Sequence, residues 1–230
     1  MAPALHARVE ESRPDPVHGL GAGLYSLSEL SRYLTSRGLP ASSSKVLRWI
    51  QVGLAVSGHQ QGAPTYSFHD LVSLLVVGWL RSQGAKLSAI RAAEGYLRGE
   101  QRIERPFALE EIYTDGVNVL YRANPAIAEQ LTAANRRGQE VLTRALGETL
   151  RGIGYAQGVA VSWDIRPHVR LDPGIQFGAP CLSGTRIPTA QLFALSTAGE
   201  DVDSLARLFD VPPGWVREAV DLEEELARAA

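Results

Sequence analysis

Two short apolar-periodic stretches, separated by the break Arg37-Gly38-Leu39-Pro40, constrain this chain more than any other feature. In Ser26-Leu27-Ser28-Glu29 a hydroxyl stands three residues before a carboxylate, the pattern in which each side chain satisfies a free backbone N–H at a helix start. Leu27, Leu30 and Leu34 then mark one face of a short helix. After the break, Ser42 or Ser43 can cap a second helix, with Val46, Leu47 and Ile50 expected inward and the end near Gly53. Two short helices with a tight break between them have the outline of a helix-turn-helix.

The following segment, Val56 to Tyr66, begins β-branched and turns Gly-rich and polar, which suits a small β-hairpin wing. A third helix opens at Ser67–Asp70 and carries Phe68, Leu71, Leu74, Leu75 and Leu80 before Gly84 ends it. A fourth starts at Ser88 with Ile90, Ala93 and Leu97. Arg105-Pro106 interrupts the helical pattern, and Phe107 to Tyr121 reads as a hairpin around Thr114-Asp115-Gly116. Asn124-Pro125 is a further break, Gln139 to Leu150 is expected to be a helix, and Val159 to Ile165 a strand. Beyond the Gly- and Pro-dense run from Leu171 to Pro188, three short helices are expected. The first starts at Thr189, the second is capped by Asp201 or Asp203, and the third has Pro213 in its first turn. The chain is thus expected to be mainly α with small β elements (α+β). It divides into a tail (1–22), a winged helix-turn-helix (23–104), a β-containing connector (105–166) and a C-terminal trihelical module (167–230).

Charge decides which end could meet a polyanion. The net charge is −2, which excludes a strongly basic, nonspecific nucleic-acid binder. Residues 1–104 nevertheless hold 11 basic against 8 acidic side chains, residues 105–166 hold 7 of each, and residues 167–230 hold 5 against 10. The N-terminal part is the one expected to approach DNA. No apolar run reaches the roughly 18 residues of a membrane span, and the first residues lack a basic start followed by an apolar stretch, so a cytoplasmic location is expected. The single cysteine, Cys181, forms no intramolecular disulfide, and no Cys/His pair has zinc spacing. No cofactor or metal is expected.

The N-terminal landmarks come in order: Tyr25-Ser26-Leu27-Ser28-Glu29-Leu30, Val46-Leu47-Arg48-Trp49-Ile50 with Gly53-Leu54, Tyr66-Ser67-Phe68-His69-Asp70-Leu71, and Leu80 to Arg91. Together they resemble the MerR-type winged helix. That resemblance implies that the second helix lies in the major groove with Ser43, Ser44, Lys45 and Arg48 facing DNA. It also implies that His59, Gln60 and Tyr66 on the wing approach phosphates, although Tyr66 could equally pack at the wing base. Pro64 stands where the family usually has a wing arginine, and Arg105-Pro106 interrupts the long helix through which the family dimerises. A homodimer is still expected, since one short recognition helix reads few bases, and the 107–121 hairpin is available for it.

At the C-terminus, Asp172-Pro173-Gly174-Ile175, Phe177 to Leu182, Ser183-Gly184-Thr185-Arg186-Ile187-Pro188-Thr189, Gly199-Glu200-Asp201 and Val216 to Leu226 resemble the domain of unknown function numbered four hundred and thirty-three. That family is similar to VapB-type antitoxins encoded beside a PIN-like ribonuclease, so a toxin partner is implied. Gly184, Thr185 and Arg186 on the loop are the implied toxin contacts, and the acidic helix end with Glu223 and Glu224 is expected either to meet a basic toxin surface or to be a solvated face. Arg186 has two open roles: pairing with carboxylates of the toxin, or holding the Gly-rich loop from within. Operator binding with toxin neutralisation is thus the expected function; the alternative is a MerR-like regulator that senses a small molecule.

Catalysis is not expected. Gly178 and Gly184 are separated by five residues and precede Thr185-Arg186, which departs from a phosphate-binding loop. Cys181 has apolar neighbours, and the five histidines stand singly.

Overall fold

A computed structural model describes residues 25–55, 64–101, 105–127, 129 and 139–229. The first helix, α1 (Leu27–Ser36), begins on a reciprocal cap in which the Ser26 hydroxyl accepts from the Glu29 N–H and the Glu29 carboxylate accepts from the Ser26 N–H. After the break, α2 (Ser43–Trp49) runs into a wider turn over Ile50–Leu54. That turn contains Gly53 at φ +88°, a conformation costly for residues with a Cβ. Val46 and Trp49 face the core while Leu47 is 39% exposed. The expected inward face is therefore corrected by one position: a 3.6-residue period continues from Val46 to Trp49 and Ile50, and Trp49 is the larger side chain to bury.

The chain returns through an antiparallel bridge between Tyr66 and Tyr25. It then enters α3 (Phe68–Ser82), capped reciprocally by Ser67 and Asp70 and buried from Phe68 to Leu80. Gly84 at φ +92° turns it into α4 (Leu87–Gln101). The expected wing residues 56–63, His59 and Gln60 among them, lie outside the described residues.

Pro106–Ala108 form one tight helical turn, and here the structure departs from the expected hairpin. Residues Glu110–Ala123 are a helix, α5, with Glu110 and Glu111 in its first turn. Asp-Gly is a strong hairpin signal only when the flanking residues alternate. Ile112, Val119 and Leu120 instead recur at helical spacing, are buried, and pack α5 against α4 and α6 (Gln139–Thr149). The dimer edge that the hairpin was expected to offer disappears with it.

A four-stranded antiparallel sheet follows in the order β1 (Ile153–Ala156), β2 (Val159–Arg166), β3 (Val169–Leu171), β4 (Cys181–Leu182). Gly152 is obligatory beside it, because a Cβ there would meet the Asp164 carbonyl oxygen at 2.2 Å. Since β1 and β2 precede residue 167 and β3 and β4 follow it, the sheet joins the expected connector to the expected C-terminal module. Three helices, α7 (Thr189–Thr197), α8 (Val202–Phe209) and α9 (Pro213–Arg228), complete the chain, with Asp201 capping α8 as expected. The fold is mainly α with a small sheet. Among the described residues, no helix is long and apolar enough to cross a membrane.

Among the described residues one continuous buried cluster runs from Tyr25 to Leu226, and Leu205, Ala206 and Val216 form a second, small one. The N-terminal helices are therefore docked on the sheet and on α9. Trp163 of β2 is fully buried against Tyr33, with ring centroids 6.4 Å apart, and the Arg37 guanidinium lies 4.9 Å from its ring centroid. His69 of α3 binds the Ala160 carbonyl through Nε2 at 3.0 Å, with the ring nitrogen as donor.

That last contact carries a pH dependence. Burial holds the His69 pKa below the ordinary 6.5, outweighing the opposite pull of the Ala160 carbonyl and Asp70. Above about pH 6.5 the ring is neutral in both folded and unfolded chains and contributes no pH dependence. Below it the unfolded chain takes up the proton first, so stability falls with pH. Urea unfolding midpoints measured from pH 7.5 to 5.5 should decline, and His69→Gln should flatten that decline relative to wild type; equal slopes would contradict the assignment.

Candidate nucleic-acid interface and C-terminal loop

Burying Val46 and Trp49 turns the rest of α2 outward, and Ser43, Ser44, Lys45 and Arg48 are all exposed. The structure brings to them three cations that sequence reasoning did not gather: Arg81 at the end of α3, and Lys86 and Arg91 at the start of α4. One cleft of about 480 Å³ is lined by Lys45, Arg48, Arg81 and Lys86 over Trp49. A second, of about 570 Å³, lies on the other side of Arg48 and is lined by Arg91, Ser88, Val52 and Leu87. No carboxylate of the described residues lines either cleft. Arg81 donates to the Ala85 carbonyl, which ties its guanidinium to the α3–α4 turn.

Five cations around one short helix create a local positive field on a chain whose net charge is −2. The only signal available earlier was the positive balance of residues 1–104, because the α3–α4 turn that assembles the cluster is a tertiary feature. Tyr66 is not part of this face. It is 3% exposed and bridges to Tyr25, so of its two sequence-derived roles it takes the packed one.

In the C-terminal part, β4 leads into a tight turn closed by its own backbone. The Thr185 N–H donates to the Leu182 carbonyl at 3.0 Å, and the Leu182 N–H to the Ile187 carbonyl at 3.0 Å. The Thr185 hydroxyl donates to the Leu182 carbonyl at 2.8 Å and accepts from the Ile187 N–H at 3.1 Å. Gly184 sits at φ +73°, outside these bonds. Thr185 and the backbone thus do the holding, while the Arg186 side chain is exposed and makes no ion pair among the described residues. Burial raises the pKa of the Cys181 thiol, over the opposing pull of Arg186, which suits an inert packed sulfur.

Beside this turn lies a second, strained one. Gln176, Phe177 and Gly178 stand at φ +47°, +55° and +81°, three consecutive left-handed residues. The two non-glycine positions cost roughly 1–2 kcal/mol each. The turn is held by four bonds: the buried Tyr25 hydroxyl donates to the Gly178 carbonyl at 3.1 Å, Gln176 Nε2 donates to the Arg186 carbonyl at 3.1 Å, the Gly178 N–H donates to the Ile175 carbonyl at 3.0 Å, and the Ala179 N–H donates to the Gln176 carbonyl at 3.1 Å.

The acidic end of α9 is mostly occupied from within. Glu223 accepts from the hydroxyl of fully buried Thr189, and Glu225 pairs with Arg166. Glu223 is therefore withdrawn as a partner contact, because its carboxylate secures α7 to α9; Glu224 remains exposed.

Residues 169–221, from β3 through most of α9, match the family model described as "Protein of unknown function (DUF433)". The chain is similar to the crystal structure of Rv2018 from Mycobacterium tuberculosis, with 22% identity and a TM-score of 0.66 over 87% of this chain and 98% of that one. The likeness shows a shared fold across nearly the whole neighbour. No curated protein is matched by the chain.

Proposed function

We propose that this chain is a DNA-binding antitoxin. Its α2 face engages operator DNA, and its C-terminal loops engage a PIN-like ribonuclease encoded beside it. The observation that carries the reading is the cluster of Lys45, Arg48, Arg81, Lys86 and Arg91 around an exposed α2, without a carboxylate among the described lining residues. Such a face neutralises phosphates, and a seven-residue helix flanked by two clefts can enter a major groove. The MerR-like order of the N-terminal landmarks supports the same use. Ser43, Ser44 and Arg48 then face base edges, while Lys45, Arg81, Lys86 and Arg91 lie at phosphates. Two chains on paired half-sites supply the affinity that one short helix lacks.

The partner half of the reading rests on the resemblance of the C-terminal part to antitoxin-associated domains and on Arg186, whose guanidinium is presented outward from a turn that does not need it. A planar cation there can pair with the carboxylates that gather Mg²⁺ in a ribonuclease site.

Fluorescence anisotropy tests the DNA half directly. A labelled duplex from the region upstream of the chain's own gene should bind about 10³-fold or more tightly than a shuffled duplex. The logarithm of affinity should fall with log salt with a slope of about −4 per protomer, from the four phosphate-facing cations at roughly 0.9 each. Equal binding to both duplexes, or a slope near zero, would remove the operator from the account.

A further inference from the structure

We infer that the strained turn Gln176–Gly178 presents Phe177 as the apolar anchor of the protein–protein contact, with Arg186 as its charged neighbour, and that the two enter one acidic, apolar-walled cleft on the toxin. This rests on the antitoxin reading and adds to it the residue that seats the partner. Phe177 is 81% exposed, the most exposed of the large hydrophobic side chains among the described residues, and it takes no part in the core. A ring in water with a left-handed backbone beneath it gains nothing for the isolated fold, yet the surroundings hold it there from two sides. Tyr25, far away in sequence, fixes the Gly178 carbonyl from below, and Gln176 ties the turn to the Arg186 carbonyl.

The consequence is a pair of side chains carried on a fixed backbone. An aromatic ring and a guanidinium with no ion pair among the described residues stand on two adjoining turns, each already ordered before any partner arrives. Aromatic and arginine side chains dominate binding energy at interface centres, and a backbone ordered in advance loses little entropy on docking. The pair also states what the partner must offer. Arg186 requires carboxylates, and Phe177 requires a nonpolar pocket beside them. A cleft that gathers carboxylates for Mg²⁺ meets the first requirement, which is why a ribonuclease site is the occupant chosen over a second copy of this chain.

Phe177→Gly separates binding from folding. At φ +55° glycine relieves backbone strain and removes a ring that packs on nothing in the core, so the variant should unfold at a higher temperature than wild type. The probe is the purified product of the reading frame adjacent to this chain's gene, titrated by calorimetry against full-length chains. The expected result is binding by wild type, at least about 30-fold weaker binding by Phe177→Gly, about tenfold weaker binding by Arg186→Ala, and unchanged operator affinity for both. Wild type and Phe177→Gly binding the probe equally would overturn the inference and leave the antitoxin reading standing. No binding by wild type would overturn that reading and the inference with it. Sedimentation of the chain alone supplies the remaining arm: a wild-type oligomer that Phe177→Gly dissociates would assign the turn to a second copy and overturn the toxin cleft.

Discussion

A Trp163→Ala chain should lose about 3–5 kcal/mol of stability, the range for deleting a fully buried tryptophan, and should lose it in one transition rather than two. The side chain is completely buried on β2. It packs edge-on against Tyr33 of α1, which in turn meets Tyr25 with ring centroids 5.8 Å apart. Its indole N–H donates to the Arg151 carbonyl at 3.3 Å, and Arg37 covers the ring. One residue therefore ties the N-terminal helices to the sheet, and removing it opens a cavity at that joint and takes one of two donors from the Arg151 carbonyl, which also accepts from Arg37. Trp163→Phe, which retains most of the apolar volume and loses the N–H, should cost less than half as much. Urea unfolding followed separately by fluorescence and circular dichroism checks both points. Coincident curves shifted together support a shared core, whereas an N-terminal transition unaffected by the substitution would mean that residues 25–101 fold independently of the sheet.

The second large effect concerns DNA. Arg48→Ala should weaken operator binding by about 1–3 kcal/mol per protomer and relax the preference at the base it reads. Lys45→Ala should instead weaken operator and shuffled duplexes alike and reduce the salt slope by about one per protomer. The difference follows from placement. Arg48 is shared by both clefts and lies at the centre of the face, whereas Lys45 lies on one side only. Both residues are exposed, so stability should change by no more than about 0.5 kcal/mol. Anisotropy titrations at three salt concentrations separate the outcomes. If Arg48→Ala leaves the operator-to-shuffled ratio unchanged, α2 does not read bases.

What the sequence disclosed and what it withheld divide along local and non-local physics. The caps at Ser26 and Asp201, the stop at Gly84 and Pro213 in the first turn of α9 all depend on a few neighbouring residues, and all were legible. Helix α5 was misread because Thr114-Asp115-Gly116 has strong local turn chemistry that packing of Ile112, Val119 and Leu120 overrides. Strands β1, β3 and β4 are too short to show alternation and exist through pairing with β2 and with one another. On the DNA face, Lys45 and Arg48 were legible from helix geometry, whereas Arg81, Lys86 and Arg91 needed the α3–α4 turn. Phe177 was invisible as an anchor, since local rules give the left-handed conformation to Gly178 and not to the two residues before it.

Growth is the most direct test of whether this chain is an antitoxin. The adjacent reading frame is induced alone, together with this chain, and together with Arg186→Ala, followed by affinity purification of the tagged chain. Arrest is expected with the neighbour alone, rescue and co-purification with the wild-type chain, and weaker rescue with Arg186→Ala. A neighbour that is harmless alone and fails to co-purify would contradict it and leave a DNA-binding regulator without a toxin.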